Sequence, residues 1–185
     1  MRKLIFAINV TLDGCCSHTK GSPGEEVHEY FTALMREVDL IVYGRVTYEL
    51  MVPFWPDIAK SNVAPAKSLL DFAHGFDALP KVVFSRTLER VDDRNSRLVK
   101  TDLATEITRL KNEPGKAILV GGVALPAELL ELGLVDEFIV VVHPVVAGAG
   151  RRLFDTVQMP DQLGLKLEQT RTLGSGHVVL RYSKQ

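Results

Sequence analysis

The stretch ILVGGVALPAELL, at positions 118–130, joins the two patterns that decide the fold. Its first half is a short apolar run, typical of a strand that is buried on both faces of a sheet. Its second half begins a leucine-rich helical pattern. Two glycines, Gly121 and Gly122, stand at the junction. They have two interpretations: a tight turn between strand and helix, or a place where a ligand comes close to the backbone because no Cβ intervenes.

The same succession of strand and helix recurs through most of the chain. Apolar strand patterns occupy residues 3–10, 39–44, 81–85, 97–100, 116–122 and 136–146. A first helical pattern begins at the sequence SPGE (22–25) and continues to about Val38, and a short second one begins near Thr47. Two more occupy residues 64–76 and 124–132. Between these two, Leu103, Ile107 and Leu110 recur at helical spacing and mark a fifth helix. The sequence VPFWPD (52–57) reads as a loop, and residues 165–183 alternate about a turn at 174–176, which predicts an antiparallel hairpin.

This order predicts an α/β fold with three layers. Apolar strands that alternate with helices favour a mainly parallel sheet covered by helices on both faces. The C-terminal antiparallel hairpin is expected at one edge of that sheet. The chain has 185 residues, of which 46% are hydrophobic and 24% charged, so we expect a single domain over residues 1–185.

Composition excludes several classes of partner. The net charge of −1 argues against a general basic surface for nucleic acid or for an anionic membrane. The apolar N-terminal stretch is short and is interrupted by Asn9 and Asp13, so it predicts neither a signal peptide nor a membrane span. Adjacent Cys15 and Cys16 suit a reducing compartment, which predicts a cytoplasmic protein. The five histidines show no ligand pair at i, i+4, and no metal site is predicted.

Three strand patterns end in residues suited to an anionic ligand. In open parallel sheets, ligands bind outside the carboxyl ends of the strands. Helix-start amides, arginine forks and glycines without a Cβ all favour phosphate oxygens. The segments concerned are Gly44, Arg45 and Thr47; Ser85, Arg86 and Thr87; and Gly121 with Gly122. The full G-x-G-x-x-G fingerprint is absent, so the prediction of a dinucleotide depends on the three ends together, and the two arginines favour NADPH.

At this point the sequence resembles a known family. GRVTYE (44–49), KVVFSRT (81–87) and ILVGGVALPAELLELGLVDEF (118–138) occur in the order and spacing of the dihydrofolate reductase-like superfamily. NVTLDG (9–14) and HPVVAGAGRRLF (143–154) look like one branch of it, the reductase domain of the bifunctional riboflavin-biosynthesis deaminase-reductase and its stand-alone relatives. The resemblance implies an NADPH-dependent reductase that forms a homodimer. Its implied substrate is a small heterocycle or sugar derivative, with a riboflavin-pathway aminopyrimidine favoured and a pterin second.

The resemblance also implies roles for particular residues. In the family, the glycine-arginine-x-threonine segment holds cofactor phosphate, the segment after the next strand grips the 2′-phosphate, and the diglycine turn contacts the pyrophosphate. Carried over, these roles fall on Gly44, Arg45 and Thr47, on Ser85, Arg86 and Thr87, and on Gly121, Gly122, Val123, Ala124 and Leu125. The nicotinamide is expected against the end of the first strand, near Val10 to Asp13.

The chain departs from the family pattern in two places. Folate reductases carry a carboxylate on the first helix, and alignment on Phe31 places Val27 at that position, so dihydrofolate is disfavoured as substrate. The H-x-E and C-x-x-C segments of the zinc deaminases are absent, so only the reductase half is resembled. The missing carboxylate keeps a second hypothesis open, a non-catalytic nucleotide-binding sensor or partner module.

Four further residues are candidates with two interpretations each. Asp13 is a candidate proton donor or the first residue of a turn with Gly14. Glu29 is a second candidate donor or a solvated helix residue. Trp55 is expected either to stack on a flat substrate or to pack its segment on the core. Arg151 either meets a substrate phosphate or lies on the surface. Self-association is expected from the apolar strand surface of residues 136–146 and of the terminal hairpin.

Overall fold

The structure is a computed structural model that describes residues 1–158 and 161–185. Its strands are β1 (Leu4–Thr11), β2 (Val38–Gly44), β3 (Lys81–Phe84), β4 (Ser96–Val99), β5 (Ala117–Val120), β6 (Glu137–His143), β7 (Leu165–Thr172) and β8 (Val178–Lys184). Its helices are α1 (Glu25–Met35), α2 (Arg45–Met51), α3 (Phe54–Ser61), α4 (Lys67–Ala78), α5 (Leu103–Asn112) and α6 (Ala124–Glu131).

All eight strands form one sheet in the order β4-β3-β2-β5-β1-β6-β8-β7. The pairs from β4 through β6 are parallel, and β8 and β7 add an antiparallel hairpin at one edge. Helices cover both faces: α1 and α4 pack on one face, and α5 and α6 on the other. The predicted three-layer α/β fold with its C-terminal hairpin is therefore confirmed.

Strand β1 shows why the central strands are apolar almost throughout. Ile5 and Ala7 point into the core on the α1 and α4 side, whereas Phe6 and Ile8 point into the core on the α5 and α6 side. Successive side chains of a strand alternate between faces, so a strand with both faces covered must be apolar at nearly every position. Asn9 and Thr11 are the exceptions in this strand, and both lie toward its carboxyl end, where the candidate site is found.

The predicted start and end of the first helix are wrong, and so is the predicted loop at 52–57. Helix α1 begins at Glu25 after Gly24, with no side-chain cap, and it ends at Met35, so Ser22 is not its cap and Val38 belongs to β2. The expected loop at 52–57 contains the start of α3. Pro53 precedes this helix and Pro56 lies in its first turn, where backbone amides have no intrahelical acceptor and a missing N–H costs little.

Strand β6 is shorter than predicted and is not an exposed surface. It ends at His143, because Pro144 follows and the amide of Val145 donates to the carbonyl of His143 at 2.8 Å. β6 lies between β1 and β8, so most of its apolar side chains are covered within the chain itself. The expectation that residues 136–146 provide surface for self-association is therefore wrong, apart from exposed Val145 and Val146.

The tip of the hairpin is fastened to α1. The carboxylate of Glu26 accepts hydrogen bonds from the amides of Gly174 at 2.9 Å and Ser175 at 2.6 Å. The contact fixes the turn between β7 and β8 beside the start of α1. Among the described residues, none of the helices is long and apolar enough to cross a membrane.

Candidate functional site

A cleft of about 670 Å³ lies at the carboxyl edge of the central strands. The ends of β1, β2 and β5, the segment after β1, one side of α1 and the starts of α2 and α6 form its wall. Its size is within the range of small-molecule sites, and its lining is mostly apolar with a few polar groups. The prediction that chemistry resides at this edge of the sheet agrees with the position of the cleft.

The two glycines of the opening stretch are required by the protein's own packing. Gly122 has φ +94°, and a Cβ there would lie 2.2 Å from the hydroxyl oxygen of Thr47. A Cβ on Gly121 would lie 2.9 Å from the ring of Tyr43. Close packing accounts for Gly121, and close packing together with a positive φ accounts for Gly122. The packing also brings the start of α6 against the start of α2, where Gly44 lies beside Leu125.

The starts of these two helices fit an anionic group. Neither Gly44, which precedes α2, nor Val123, which precedes α6, caps its helix with a side-chain hydrogen bond. First-turn amides need acceptors from outside the helix and carry partial positive charge. Arg45 lies at the same wall and pairs with Glu49 at 2.9 Å, with both side chains nearly half exposed. Such an exposed pair is weak, so a phosphate could replace the carboxylate.

The third predicted strand end lies next to the cleft but outside its wall. β3 neighbours β2, and Phe84 is in register with Gly44, so the three strand ends are contiguous as expected. The hydroxyl of Ser85 accepts from the amides of Thr87 at 3.2 Å and Leu88 at 3.0 Å, which closes its own turn. Arg86 and Thr87 are exposed, and Arg86 has no ion-pair partner within residues 1–158 and 161–185.

The remaining predicted cofactor residues all line the cleft: Val10, Thr47, Val123, Ala124 and Leu125. Val10 is buried at the end of β1, where the nicotinamide was expected. The structure thus brings together the residues assigned from β1, β2 and β5, and it leaves those assigned after β3 at the adjoining surface.

Asp13 is a structural carboxylate, and its assignment as proton donor is corrected. It accepts hydrogen bonds from the Thr11 hydroxyl and from the amides of Ala147 and Gly148, both at 3.0 Å, and it pairs with Arg152 at 2.8 Å. These bonds, with that from Thr11 first, hold the pKa of Asp13 far below its ordinary value. The carboxylate is ionised, is fully occupied by donors and does not line the cleft.

Glu29 is also corrected as a candidate donor. It is exposed on α1 and does not line the cleft, whereas its neighbours Val27 and His28 are buried and do. The expected 100° between successive helix residues explains the difference. No Asp or Glu lines the cleft within the described part of the chain.

Trp55 and Arg151, the predicted substrate residues, both line the cleft. Trp55 is half-buried on α3, and its ring packs edge-on against Phe72, with ring centroids 4.5 Å apart, and against His28 at 5.8 Å. It therefore packs on the core and faces the cleft as well. Arg151 is 44% exposed and lies 4.0 Å from Asp155, so its guanidinium is only loosely held.

Several polar residues of the cleft were not predicted as site residues, among them Asn9, His28 and His143. Five buried side-chain polar atoms lack a hydrogen-bond partner in the described residues, and three of them, Asn9 Oδ1, His28 Nδ1 and His143 Nε2, belong to these residues. Buried polar atoms normally have partners, so their concentration at one cleft points to a polar ligand. An asparagine within the apolar strand sequence LIFAINVT was the sequence signal that could have revealed the first of them.

Both buried histidines of the cleft are neutral at physiological pH. Burial lowers the pKa of His28. Burial, and secondly the neighbouring His177, lowers the pKa of His143 to about 4. His143 Nδ1 lies 3.2 Å from His177 Nε2, and both rings are almost fully buried. Within the described residues, no group of three or more His, Cys, Asp or Glu side chains could hold a metal ion.

The fold and the cleft define an α/β protein with a cleft of small-molecule size at the carboxyl edge of a mainly parallel sheet. Comparison with known families identifies which one: the family described as RibD C-terminal domain matches residues 2–179. The chain therefore belongs to the RibD C-terminal domain family.

Individual relatives agree with this family. The uncharacterised protein YyaP of Bacillus subtilis (strain 168) is 35% identical over 190 residues, which cover 98% of this chain and 94% of YyaP. A candidate riboflavin biosynthesis protein from Shewanella sp. PV-4 has a similar structure, with a TM-score of 0.75, 22% identity and 99% of each chain covered.

A bifunctional enzyme also shares the fold. The diaminohydroxyphosphoribosylaminopyrimidine deaminase/5-amino-6-(5-phosphoribosylamino)uracil reductase of Thermotoga maritima matches with a TM-score of 0.69 and 13% identity. The match covers all of this chain but only 57% of that enzyme. At these identities the two solved structures show the fold.

Proposed function

We propose that the protein is an NADPH-dependent reductase of small heterocyclic or sugar-derived substrates. A riboflavin-pathway aminopyrimidine is the favoured substrate class, and a pterin is second. Membership of the RibD C-terminal domain family supports the reductase assignment. The observation that carries the proposal is a single cleft in which two uncapped helix starts and three unpartnered buried polar atoms occur together.

The proposed cofactor site uses the contiguous ends of β3, β2 and β5. The starts of α2 and α6, with Arg45 and Thr47, would hold the pyrophosphate, because their open amides and the guanidinium favour phosphate oxygens. Arg86, exposed beside this site, would pair with the 2′-phosphate. When bound, NADPH supplies a hydride to an electrophilic carbon of the substrate.

The proposed substrate site is the polar and aromatic part of the same cleft. Asn9 and His28 offer hydrogen-bonding atoms that have no partner among the described residues, and Trp55 offers an aromatic surface. Arg151, 44% exposed at the wall, suits a substrate phosphate. A flat ring with polar edges and a phosphorylated substituent would use all four groups.

An aminopyrimidine is favoured over a pterin because helix α1 has no carboxylate at the cleft wall. Val27, 1% exposed, occupies the position at which folate reductases carry a carboxylate. Neighbouring Glu26 is engaged with the hairpin turn, and Glu29 is exposed, so neither replaces it. Recognition of a pterin through a buried carboxylate therefore has no counterpart in this cleft.

The test is steady NADPH oxidation by the purified protein against a panel of aminopyrimidines, with and without a phosphorylated ribose or ribitol group, and of pterins. We expect oxidation with at least one phosphorylated aminopyrimidine and little with dihydrofolate. Binding of NADPH without oxidation by any compound would instead favour the second candidate, a nucleotide-binding module without turnover. The absence of an acidic residue from the described cleft wall is the observation that supports this second candidate.

We further propose that the protein is a homodimer. Strand β7 is the outermost strand at one edge of the sheet, and all its residues are exposed, including Leu165 and Leu167. An unpaired strand edge with apolar side chains favours pairing with another chain. Light scattering should give the mass of a dimer, and Leu167→Glu should lower it toward that of a monomer. A monomer alone at micromolar concentration would contradict this proposal.

A further inference from the structure

The cleft wall contains one end of a hydrogen-bonded chain of side chains that reaches the protein surface. Ser175, in the exposed turn between β7 and β8, lies with its hydroxyl oxygen 3.0 Å from His177 Nδ1. His177 Nε2 lies 3.2 Å from His143 Nδ1. His143 lines the cleft, and its Nε2 has no partner in the described residues. We propose that Ser175, His177 and His143 form a proton relay in which His143 protonates the substrate.

One assignment of the protons lets the chain deliver a proton from the surface to the cleft. A neutral imidazole has one N–H donor and one acceptor nitrogen. If the Ser175 hydroxyl donates to His177 Nδ1, then His177 carries its proton on Nε2 and donates it to His143 Nδ1. His143 must then carry its own proton on Nε2, the nitrogen left for a ligand in the cleft. This pair of tautomers satisfies both bonds and leaves the His143 Nε2–H for the cleft. The reversed pair, with both rings protonated on Nδ1, satisfies the same bonds, and it is the state that the chain reaches after it has donated its proton.

Burial favours a neutral ring at the inner end of the relay. His143 is 1% exposed and His177 is 5% exposed, whereas Ser175 is exposed to solvent. A charged imidazole is unfavourable at the inner position, and the lowered pKa of His143 agrees with a neutral ring. The neutral ring can still donate its Nε2 proton when its Nδ1 accepts another in the same event.

The surroundings of the relay hold it in place without competing for its bonds. Thr11, in register with His143 on β1, uses its hydroxyl to bond Asp13 and the amide of Cys15. At the outer end, Glu26 binds the amide of Ser175 and fixes the turn. The other titratable side chains at the cleft wall belong to other segments, and in the described part of the chain none of them is hydrogen-bonded to His143: Cys15, Cys16, His18, His28, Tyr43, Arg45 and Arg151.

The proposed step balances and rests on the proposed reductase function. As the substrate carbon of a C=O or C=N group gains the hydride, its oxygen or nitrogen takes the proton from His143 Nε2. His143 Nδ1 takes the proton of His177 Nε2, His177 Nδ1 takes that of Ser175, and water restores the hydroxyl. After the product leaves, water in the cleft returns a proton to His143 Nε2, and the chain runs back to its first tautomers.

His143 takes the role of proton donor that was predicted for Asp13 or Glu29. Asp13 is ionised and lies outside the cleft wall, and Glu29 is exposed. His143 is the residue that combines a place at the wall, an available nitrogen and a hydrogen-bonded path to solvent. A general acid of this kind contributes about 100-fold to turnover in typical enzymes.

Two measurements test the relay, and the first needs no turnover. Nitrogen-15 NMR of the histidine side chains of the whole protein at neutral pH should show His143 and His177 both as neutral Nε2–H tautomers. An Nδ1–H tautomer at His143 would overturn the proposal. This result decides the relay whether or not a substrate is found, whereas a wild-type protein that never oxidises NADPH contradicts the proposed function.

The second measurement uses the active compound of the substrate panel. His143→Gln should lower kcat about 100-fold and His177→Gln about tenfold, with little change in the dissociation constant of NADPH. His74→Gln, at an exposed position of α4 outside the cleft wall, is the matched control and should leave kcat unchanged. Unchanged kcat in the His143 variant would overturn the relay. If that variant fails to fold, His177→Gln and the tautomer measurement decide.

Discussion

Gly122 and Thr47 are packed so closely that the glycine leaves no room for a Cβ, which would lie 2.2 Å from the Thr47 hydroxyl oxygen. The contact joins the turn after β5 to the first turn of α2. It places the starts of α2 and α6 side by side at the wall of the cleft. The contact between Gly122 and Thr47 therefore explains both why position 122 is a glycine and why the two helix starts proposed to bind phosphate lie side by side.

We expect Gly122→Ala to reduce both stability and NADPH affinity. Its φ of +94° is unfavourable for residues with a Cβ, and with the clash this should lower the free energy of unfolding by about 1 to 2 kcal/mol or more. Denaturant unfolding measures the first effect and fluorescence titration the second. Gly24→Ala is the matched control, since a Cβ there meets nothing within 4 Å. Equal effects of the two substitutions would contradict the assignment.

Arg86→Ala should raise the KM for NADPH about tenfold and leave the KM for NADH nearly unchanged. The reason is that only NADPH carries the 2′-phosphate that the guanidinium is proposed to bind. Arg45→Ala should instead weaken both cofactors, because the pyrophosphate that Arg45 is proposed to bind is common to NADPH and NADH. Arg90→Ala, at an exposed side chain of the same loop paired with Asp92, serves as control. Equal changes of the KM for NADPH and for NADH in the Arg86 variant would rule out its role at the 2′-phosphate.

Asp13→Asn should destabilise the protein at neutral pH while leaving the proton transfer step intact. The carboxylate fastens the segment at Ala147 and Gly148 to the end of β1. Its pKa is lowered in the folded state, so its contribution is present above the unfolded value of about 4 and is lost as the pH falls below it. Thermal unfolding against pH, with exposed Asp57→Asn as control, measures this. A large loss of kcat in a folded variant would contradict the structural role.

Buried His143 should make the native state sensitive to mild acid. Its pKa is about 4 in the folded protein and about 6.5 in an unfolded chain, so the unfolded state takes up a proton first. Stability therefore falls as the pH drops from about 6.5 to about 4. His143→Gln should reduce this dependence of stability on pH, and exposed His74→Gln should not. Burial also lowers the pKa of His28, so His28 accounts for part of the pH dependence that remains in the His143 variant. An identical slope in wild type and His143→Gln would contradict the prediction.

The three layers of the fold were predictable because the spacing of apolar residues along a strand or helix indicates which of its faces are buried. A strand such as LIFAINVT with both faces covered must be apolar, and α5 shows its buried face through Leu103, Ile107 and Leu110. The start of α3 was missed because prolines at 53 and 56 usually indicate a loop, yet both fall where a helix start tolerates them.

The site was only partly predictable, for a physical reason. Glycine and arginine at strand ends are visible in sequence, so several residues after β2 and β5 that line the cleft were predicted as site residues. The pairing of His143 with His177 joins residues 34 positions apart across two antiparallel strands, and sequence alone does not give their register. Whether a given Asp or Glu faces the cleft depends on tertiary contacts, such as those that occupy Asp13 and Glu26.

The most direct test of the central claim is a fluorescence titration of the purified protein with NADPH and, in parallel, with NADH. Trp55, the only tryptophan, lines the cleft and reports occupancy through quenching, while nicotinamide emission reports the same event from the ligand. The account predicts tight binding of NADPH and much weaker binding of NADH. Binding of neither would show that Gly121 and Gly122 serve only the turn, and it would contradict the assignment as an NADPH-dependent reductase.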